Sequence, residues 1–303
     1  MPPRPHLDRF AMSLMVLLCT VWGLQQVAIK LANAGISPVW QAGLRSIGAT
    51  LMVWGWASMR GVRLWTADGT LAPGLVAGLL FAIEFALIFW ALEFTNASRG
   101  VIFLYMAPFF VAIGAVWLLP HEAMRRAQWI GMALAFAGVV LLFGENLLLP
   151  AGRAWIGDLM MVVAAILWAA TTLTVKVTPL VRAPVEKTLL YQLGVSAAVL
   201  PLLSLAFGEP GVFAPTPVVW ASLVFQTVAV AGASYLAWFW LISQYPATRL
   251  SSFSFLTPVM GVLAGGILLG EALTPAVFAA LALVGSGIWI ANRTAPAPPP
   301  DRR

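Results

Sequence analysis

The chain has 303 residues, of which 61% are hydrophobic and only 9% carry a charge, and its formal net charge is +6. A soluble globular domain has roughly a quarter charged residues, so this composition excludes an ordinary soluble protein and favours a membrane protein. The single cysteine, Cys19, excludes a disulfide within one chain. We expect the positive charge to reflect membrane topology rather than binding of nucleic acid.

Apolar runs long enough to cross a bilayer follow one another along the chain. A transmembrane helix needs about 20 mostly apolar residues. Such runs occur at residues 10–31, 38–59, 71–93, 99–119, 127–146, 155–177, 187–207, 217–243, 249–269 and 274–292. The connections are short, which leaves no room for a soluble domain. The sequence therefore predicts an all-α polytopic membrane protein with ten transmembrane helices and a disordered, proline-rich tail at 294–303.

The distribution of lysine and arginine predicts the orientation of these spans. If the N-terminus is cytoplasmic, thirteen of these residues fall on the cytoplasmic side, three on the other side, and Arg45 inside a span. Positive residues are retained on the cytoplasmic side of membrane proteins. We therefore expect both termini in the cytoplasm.

Two stretches of the chain repeat at an offset of 150 residues. The residues that coincide include Phe89/Phe239, Trp90/Trp240, Arg99/Arg249 and Pro108/Pro258. The stretch from Trp22 to Lys30 likewise matches the one from Trp168 to Lys176. Each half then holds five spans, and an odd number inverts the second half relative to the first. Inverted repeats are typical of secondary transporters, whose binding site lies near the bilayer midplane between the halves.

The order of these features resembles a known family. The fourth and ninth spans each contain a proline and are followed by Glu122 or Glu271, and then by glycine-containing helices at 131–138 and 285–287. This pattern resembles the two EamA repeats of the drug/metabolite transporter superfamily. The resemblance implies a first repeat at 1–149 and a second at 150–293. It also implies ATP-independent export of small metabolites, prominently amino acids.

Glu84 and Arg45 are the ionisable residues that this reading places deep in spans. A charge at membrane depth is costly unless it faces a cavity or a partner. Glu84, which with Trp168 is similar to residues of bacterial aromatic amino-acid exporters, could accept a substrate ammonium group, couple transport to protons, or make a structural hydrogen bond. Arg45 could hold a substrate carboxylate or make a structural pairing.

Aromatic and amide residues near the span centres form a second group of candidates for substrate binding. They are Trp22, Gln25, Gln26, Tyr105, Trp168, Tyr235 and Trp238. A cavity lined by such groups suits a zwitterion with an apolar side chain, since aromatic rings also attract its ammonium group. Packing and interfacial anchoring are the alternative roles for any one tryptophan.

Pro108 and Pro258 occupy equivalent spans, where a missing backbone donor makes a kink that can act as a hinge. Packing kinks are the alternative. Lys30 and Lys176 lie near span ends, from which we expect their side chains to reach the headgroups.

The second class of function considered is a membrane-embedded enzyme. Such enzymes need a nucleophile with a base, paired acids or a metal cluster, and we identify no catalytic residue, metal site or cofactor here. A drug or lipid exporter on the same scaffold stays open. The partners expected are therefore a small-molecule substrate and membrane lipids, without nucleic acid. The sequence does not distinguish a monomer from a homodimer, exporter from importer, or proton coupling from passive exchange.

Overall fold

The fold is almost entirely helical. The computed structural model describes residues 7–91, 94–95, 97–122, 124–144, 152–269 and 273–292. The helices are α1 (Arg9–Ala32), α2 (Pro38–Met59), α3 (Leu71–Ala91), α4 (Ala97–Leu104), α5 (Ala107–Leu118), α6 (Arg126–Phe143), α7 (Ala154–Val177), α8 (Val185–Ala206), α9 (Pro217–Gln244), α10 (Ala247–Phe253), α11 (Leu256–Leu269) and α12 (Pro275–Asn292). Short 3-10 turns cover Pro120–Glu122 and Pro179–Arg182.

These helices make up the ten predicted spans. Nine helical segments of the described chain are long and apolar enough to cross a membrane, counting α4 with α5 and α10 with α11 as one segment each. The tenth span is α2, whose 22 residues extend about 33 Å at 1.5 Å per residue. Its apolar character is diluted by Gln41 and Arg45, which are buried inside the protein. The prediction of a ten-helix membrane fold is confirmed.

Each helix pair that packs across the two halves has a counterpart made by the equivalent helices of the opposite halves. Helix α1 packs against α11, and the equivalent pair α7 and α5 packs in the same way. The pair α2 and α8 and the pair α6 and α12 each join equivalent spans of the two halves. Each half therefore contributes to every major contact, and the interface between the halves runs through the centre of the molecule.

The fourth and ninth spans are interrupted at equivalent places. Helix α4 ends at Leu104 and α5 begins at Ala107, while α10 ends at Phe253 and α11 begins at Leu256. Pro108 and Pro258 stand in the first turn after each interruption, where a missing backbone N–H costs no helical hydrogen bond. The interruptions therefore coincide with the paired prolines, whose action as hinges stays a prediction.

Helix α9 covers the predicted span 217–243, and its centre is π-helical. The π segment covers Gln226–Ser234. π-Helical turns widen the backbone locally and are frequent at functional sites. Here the segment ends at Ser234, whose hydroxyl accepts a 2.9 Å hydrogen bond from the Trp22 indole. The π segment thus joins α9 to α1 at the level of the central cavity.

Polar contacts hold the α1–α2 loop of the first half against the α8–α9 loop of the second half. Within the described residues an isolated antiparallel β-bridge pairs Ile36 with Val212. The carboxylate of Glu209 accepts hydrogen bonds from the backbone N–H groups of Val39 (3.2 Å) and Trp40 (2.9 Å). A carboxylate at a helix N-terminus satisfies free donors and the helix dipole, so the α8–α9 loop caps α2 in the other half.

Helices α6 and α12 approach most closely where two glycines face each other. A Cβ atom on Gly287 would lie 2.5 Å from the backbone nitrogen of Ala135 and 2.5 Å from the carbonyl oxygen of Gly131. Backbone atoms cannot move aside cheaply, so only glycine fits here. Gly285 lies on the same helix with no atom within 4 Å of the corresponding position.

We predict that Gly287→Ala separates α6 from α12 and lowers stability by roughly 1–3 kcal/mol, the usual cost of overpacking. Gly285→Ala is the matched control, and we expect it to be neutral or stabilising by up to about 1 kcal/mol because alanine favours the helix. Thermal unfolding of the two purified variants in detergent measures the difference. Equal midpoints for both variants would contradict the close approach.

An ion pair ties the α2–α3 loop to α8. The Lys187 ammonium lies 2.8 Å from Oδ2 of Asp68, and the hydroxyls of Thr66 and Thr70 donate to the same carboxylate. The Lys187 ammonium, followed by these two hydroxyls, lowers the pKa of Asp68 below its usual range. A carboxyl with a lowered pKa stabilises the fold above its unfolded pKa and loses that contribution as pH falls.

We therefore expect Asp68→Asn to lower the thermal midpoint at pH 7. The difference from the wild type should shrink below about pH 4, where an unfolded aspartate begins to bind a proton. Paired melting curves between pH 3 and pH 8 measure this. A difference that stays constant with pH would show that the contribution of Asp68 is not electrostatic.

Candidate functional site: a central cavity between the halves

A cavity of about 210 Å³ lies at the interface between the two halves. Its wall is mainly aromatic and aliphatic, with a few polar groups. The lining residues are Trp22, Gln25, Ile29, Phe81, Glu84, Phe85, Ile88, Phe89, Gly100, Val101, Leu104, Tyr105, Met161, Trp168, Thr171, Thr172, Gln192, Tyr235, Trp238, Phe239 and Thr257. Both halves contribute, so any relative movement of the halves changes the shape of this cavity.

Most of the residues predicted to bind substrate meet in this cavity. Seven of them line it, namely Trp22, Gln25, Glu84, Tyr105, Trp168, Tyr235 and Trp238. The side chain of Gln26 lies outside the described part of the structure. Arg45 is not in the cavity wall. The sequence-based candidates thus form one site on five different spans, although their binding of a substrate is not tested by their position alone.

Among the described residues that line the cavity, Glu84 is the one with a carboxylate, and none of them is a lysine, arginine or histidine. Its helix α3 packs against α7 and α8 of the other half, and this contact directs the side chain to the interface. Glu84 is only 6% exposed. A carboxylate in such a place offers a negative group to a ligand with a positive one.

Arg45 lies behind the wall rather than in it. Its guanidinium carbon is 4.5 Å from the centre of the Phe85 ring, and Phe85 itself lines the cavity. Arg45 is 1% exposed and close enough to interact electrostatically with Glu84 and Tyr235. A cation stacked on an aromatic face is stabilised by the ring. The role of Arg45 stays a prediction, because its Nε and Nη2 make no hydrogen bond with the residues that the structure describes.

Aromatic pairs form the walls of the cavity. The rings of Trp22 and Trp238 lie edge to face with centres 5.6 Å apart, and those of Tyr105 and Trp168 lie edge to face at 5.9 Å. Edge-to-face pairs are the preferred arrangement of aromatic side chains. Trp22 and Trp168, which the internal repeat makes equivalent, both face the cavity from opposite halves. The repeat therefore places an aromatic wall on each side.

The cavity wall also contains polar residues that were not among the predicted site residues, namely Gln192, Thr171, Thr172 and Thr257. The hydroxyl of Thr171 donates to the backbone carbonyl of Leu167, as threonines in apolar helices commonly do, so its type carries little signal. Gln192 could have been predicted as a site residue, because an amide in the middle of an apolar span is unfavourable in lipid. A search for every mid-span amide would have found Gln192.

The cavity extends toward one side of the helical bundle. Its lining reaches Ile29 near the end of α1, Phe89 near the end of α3 and Gly100 near the start of α4. A buried ion pair lies at the opposite side, where the Lys176 ammonium is 3.0 Å from Oε1 of Glu122. Neither side chain is more than 5% exposed, so the expectation that Lys176 reaches the headgroups is wrong.

This ion pair belongs to a network that joins four chain segments. Lys176 also donates to the backbone carbonyl of Tyr245 at 2.7 Å, and Oε2 of Glu122 accepts from the backbone N–H of Ala247 at 2.7 Å. The Tyr245 hydroxyl donates to Asp8 at 2.8 Å. These contacts, here called the ionic closure, hold the ends of α7, α9 and α1 against the turn after α5.

No group of three or more histidine, cysteine, aspartate or glutamate residues that could hold a metal occurs in the residues the structure describes. The cavity wall provides a carboxylate, amides, hydroxyls and aromatic rings instead. This donor set suits non-covalent binding of a small molecule that is partly polar and partly apolar.

A ten-span bundle with a repeated half and a central cavity open toward one side defines the chain as a membrane transporter. The model of the EamA-like transporter family matches residues 9–144 and again residues 155–293. The chain belongs to this family, and it is a multi-pass membrane protein. Its family and the names of its relatives indicate a transporter rather than an enzyme.

Individual relatives are similar over nearly their whole length. The chain is 27% identical to a probable amino-acid metabolite efflux pump of Salmonella typhimurium, covering 91% of this chain and 93% of the relative. It is 23% identical to the uncharacterized transporter YoaV of Bacillus subtilis, covering 89% and 92%. A solved crystal structure, described only as that of a protein, matches the fold with a TM-score of 0.81 at 21% identity, covering 94% of this chain and 97% of the other.

We predict that Lys176→Met destabilises the protein by about 3–5 kcal/mol, because it leaves the Glu122 carboxylate buried without its cation. The double variant Lys176→Met/Glu122→Gln removes both charges and should recover part of the loss. Thermal unfolding in detergent measures both effects.

The repeat supplies a control for this comparison. Lys30 occupies the equivalent position of the first half but is exposed, so Lys30→Met should change the midpoint far less. An equal fall in the thermal midpoint for Lys30→Met and Lys176→Met would contradict the expected cost of leaving the buried Glu122 carboxylate without its cation.

Proposed function

We propose that the protein exports neutral amino acids, especially aromatic ones, across a bacterial inner membrane by alternating access. The observation that carries this proposal is the composition of the cavity wall, whose described residues combine one carboxylate and no cationic side chain with aromatic faces from both halves. Such a wall attracts an ammonium group, accommodates an apolar side chain and disfavours ligands with a net negative charge.

The size of the cavity supports a small metabolite over a drug or a lipid. Pockets for drug-sized ligands have volumes of about 300–1,000 Å³, whereas this cavity has about 210 Å³. A molecule with a single ring and a small polar headgroup matches that space better than an acyl chain does. The name of the Salmonella typhimurium relative, a probable amino-acid metabolite efflux pump, supports the same class of substrate.

Alternating access is supported by the contrast between the two sides of the bundle. The ionic closure seals the side that the charge distribution assigns to the cytoplasm, while the cavity extends toward the opposite side. In our proposal this conformation is outward-facing, with both termini in the cytoplasm. Rocking of the halves at the interrupted spans would open the closure and narrow the other end, which is the usual cycle of inverted-repeat carriers.

We predict that Glu84→Gln lowers counterflow of phenylalanine and leucine into proteoliposomes by roughly 10- to 100-fold, because a hydrogen bond to a charged group contributes about 1.5–3 kcal/mol. Glu186→Gln is the control, since it removes one carboxylate from the start of α8, outside the cavity wall. A pH gradient across the vesicles then shows whether Glu84 also carries a proton, because coupling would vanish in Glu84→Gln.

The same vesicles separate the competing cargoes. A wild-type protein that moves cationic drugs or lipid analogues but no amino acid would overturn the proposed substrate. Full counterflow by Glu84→Gln would leave the substrate standing and overturn the role of Glu84.

A further inference from the structure

Gln192 is a buried amide without any hydrogen-bond partner in the wall of the cavity. The residue is 0% exposed, and neither its Nε2 nor its Oε1 has a partner. Buried side-chain polar groups are nearly always paired, because an unpaired donor or acceptor keeps its full desolvation cost. Gln192 also lines the cavity, so a molecule that reached this amide from the cavity would pair with it and remove the cost.

Gln192 and Glu84 reach the cavity from adjacent helices. Helix α3 packs closely on α8 at Gly78, where an added Cβ would lie 2.6 Å from the carbonyl oxygen of Tyr191, the residue before Gln192. Glu84 follows Gly78 by six residues, which is about 9 Å along a helix axis. The two polar side chains therefore border the same small cavity at different depths, with Phe81 between them on α3.

Some hydrogen-bond donors of the cavity wall are already bonded to other protein groups, and others are not. The indole of Trp22 donates to Ser234 and the hydroxyl of Thr171 donates to the carbonyl of Leu167. The amide of Gln192 keeps two free N–H groups and one free oxygen. Because none of the described lining residues carries a positive charge, neutral donors of this kind are the groups of this wall that can meet a substrate carboxylate.

We propose that Gln192 recognises the carboxylate of an α-amino acid, with its Nε2 donating to the carboxylate while Glu84 accepts from the ammonium group. This inference rests on the proposed function and deepens it, since it makes Gln192 the residue that distinguishes an amino acid from the corresponding amine. The aromatic walls hold the side chain of either ligand equally, so the discrimination lies in the headgroup alone.

Gln192→Leu tests the proposal with two ligands that differ only in the headgroup, phenylalanine and 2-phenylethylamine. We expect the KM for phenylalanine counterflow to rise by about 10-fold or more, because a hydrogen bond to a charged group is lost. The KM for 2-phenylethylamine should change by less than about 3-fold, since that ligand has no carboxylate and the loss of a neutral contact costs less. Gln192→Glu, which keeps the size of the side chain, should reverse the preference, because its carboxylate repels that of phenylalanine.

Thermal stability provides a second measurement. Loss of Gln192 would lower the thermal midpoint if its role were structural, whereas our proposal predicts a rise. Without ligand, Gln192→Leu should raise the midpoint by about 1–4 °C, because it removes an unpaired buried amide. The stabilisation that phenylalanine confers on the wild type should be lost in the variant. Ser196→Ala is the control, because its hydroxyl is also buried and unpaired on α8 but lies outside the cavity wall, so it should leave the transport preference unchanged.

The outcomes separate this inference from the proposed function. Wild-type transport of phenylalanine with an unchanged preference in Gln192→Leu would overturn the role of Gln192 alone. An equal loss for both ligands together with a lower thermal midpoint would assign Gln192 to the structure and also overturn its role in recognition. A wild-type protein that moves neither ligand, or only the amine, would overturn the proposed substrate and this inference with it.

Discussion

The hydrocarbon layer imposes the constraint from which the rest of the structure follows. It offers no hydrogen bonds, so the backbone must pair within helices, and a polar side chain without a partner keeps its desolvation cost. Arg45 is stacked on Phe85, Lys176 is paired with Glu122, and Glu84 faces the central cavity. These charges lie at or beside the interface between the halves. In our proposal, binding and conformational change are located at this interface for the same physical reason.

The two halves are similar in sequence but differ in their environment, and in our proposal this difference makes a transport cycle possible. Lys30 and Lys176 occupy matched positions, yet Lys30 is exposed whereas Lys176 is buried in the ionic closure. A protein with two similar halves can adopt two asymmetric conformations. Each is obtained from the other by exchanging the conformations of the halves. If the contacts of each half are nearly interchangeable, the two conformations have similar free energies and a small ligand contribution shifts their populations.

Much of the fold could be predicted because hydropathy reports burial in lipid directly. The spans 38–59 and 155–177 differ from α2 and α7 by no more than one residue, and seven of the proposed site residues meet in one cavity. The π-helical centre of α9 and the partner of Lys176 could not be predicted, since both depend on contacts between helices distant in sequence. A lysine near the end of a span can reach either lipid headgroups or a buried carboxylate, and its position in the sequence does not distinguish the two. The packing of α5 against α7 brings Lys176 to a carboxylate.

The polar groups of the cavity show how binding and stability oppose each other in this molecule. Gln192 keeps a free amide and Glu84 keeps a buried carboxylate, and both lower the stability of the empty protein relative to apolar residues of the same size. The ionic closure and the glycine contact of α6 with α12 lie outside the cavity and hold the bundle while these costs are present. A ligand that pairs with the cavity groups offsets the costs in the bound state. In our proposal that gain is largest for a molecule with both a donor and an acceptor beside an apolar ring, which is the arrangement of an aromatic amino acid.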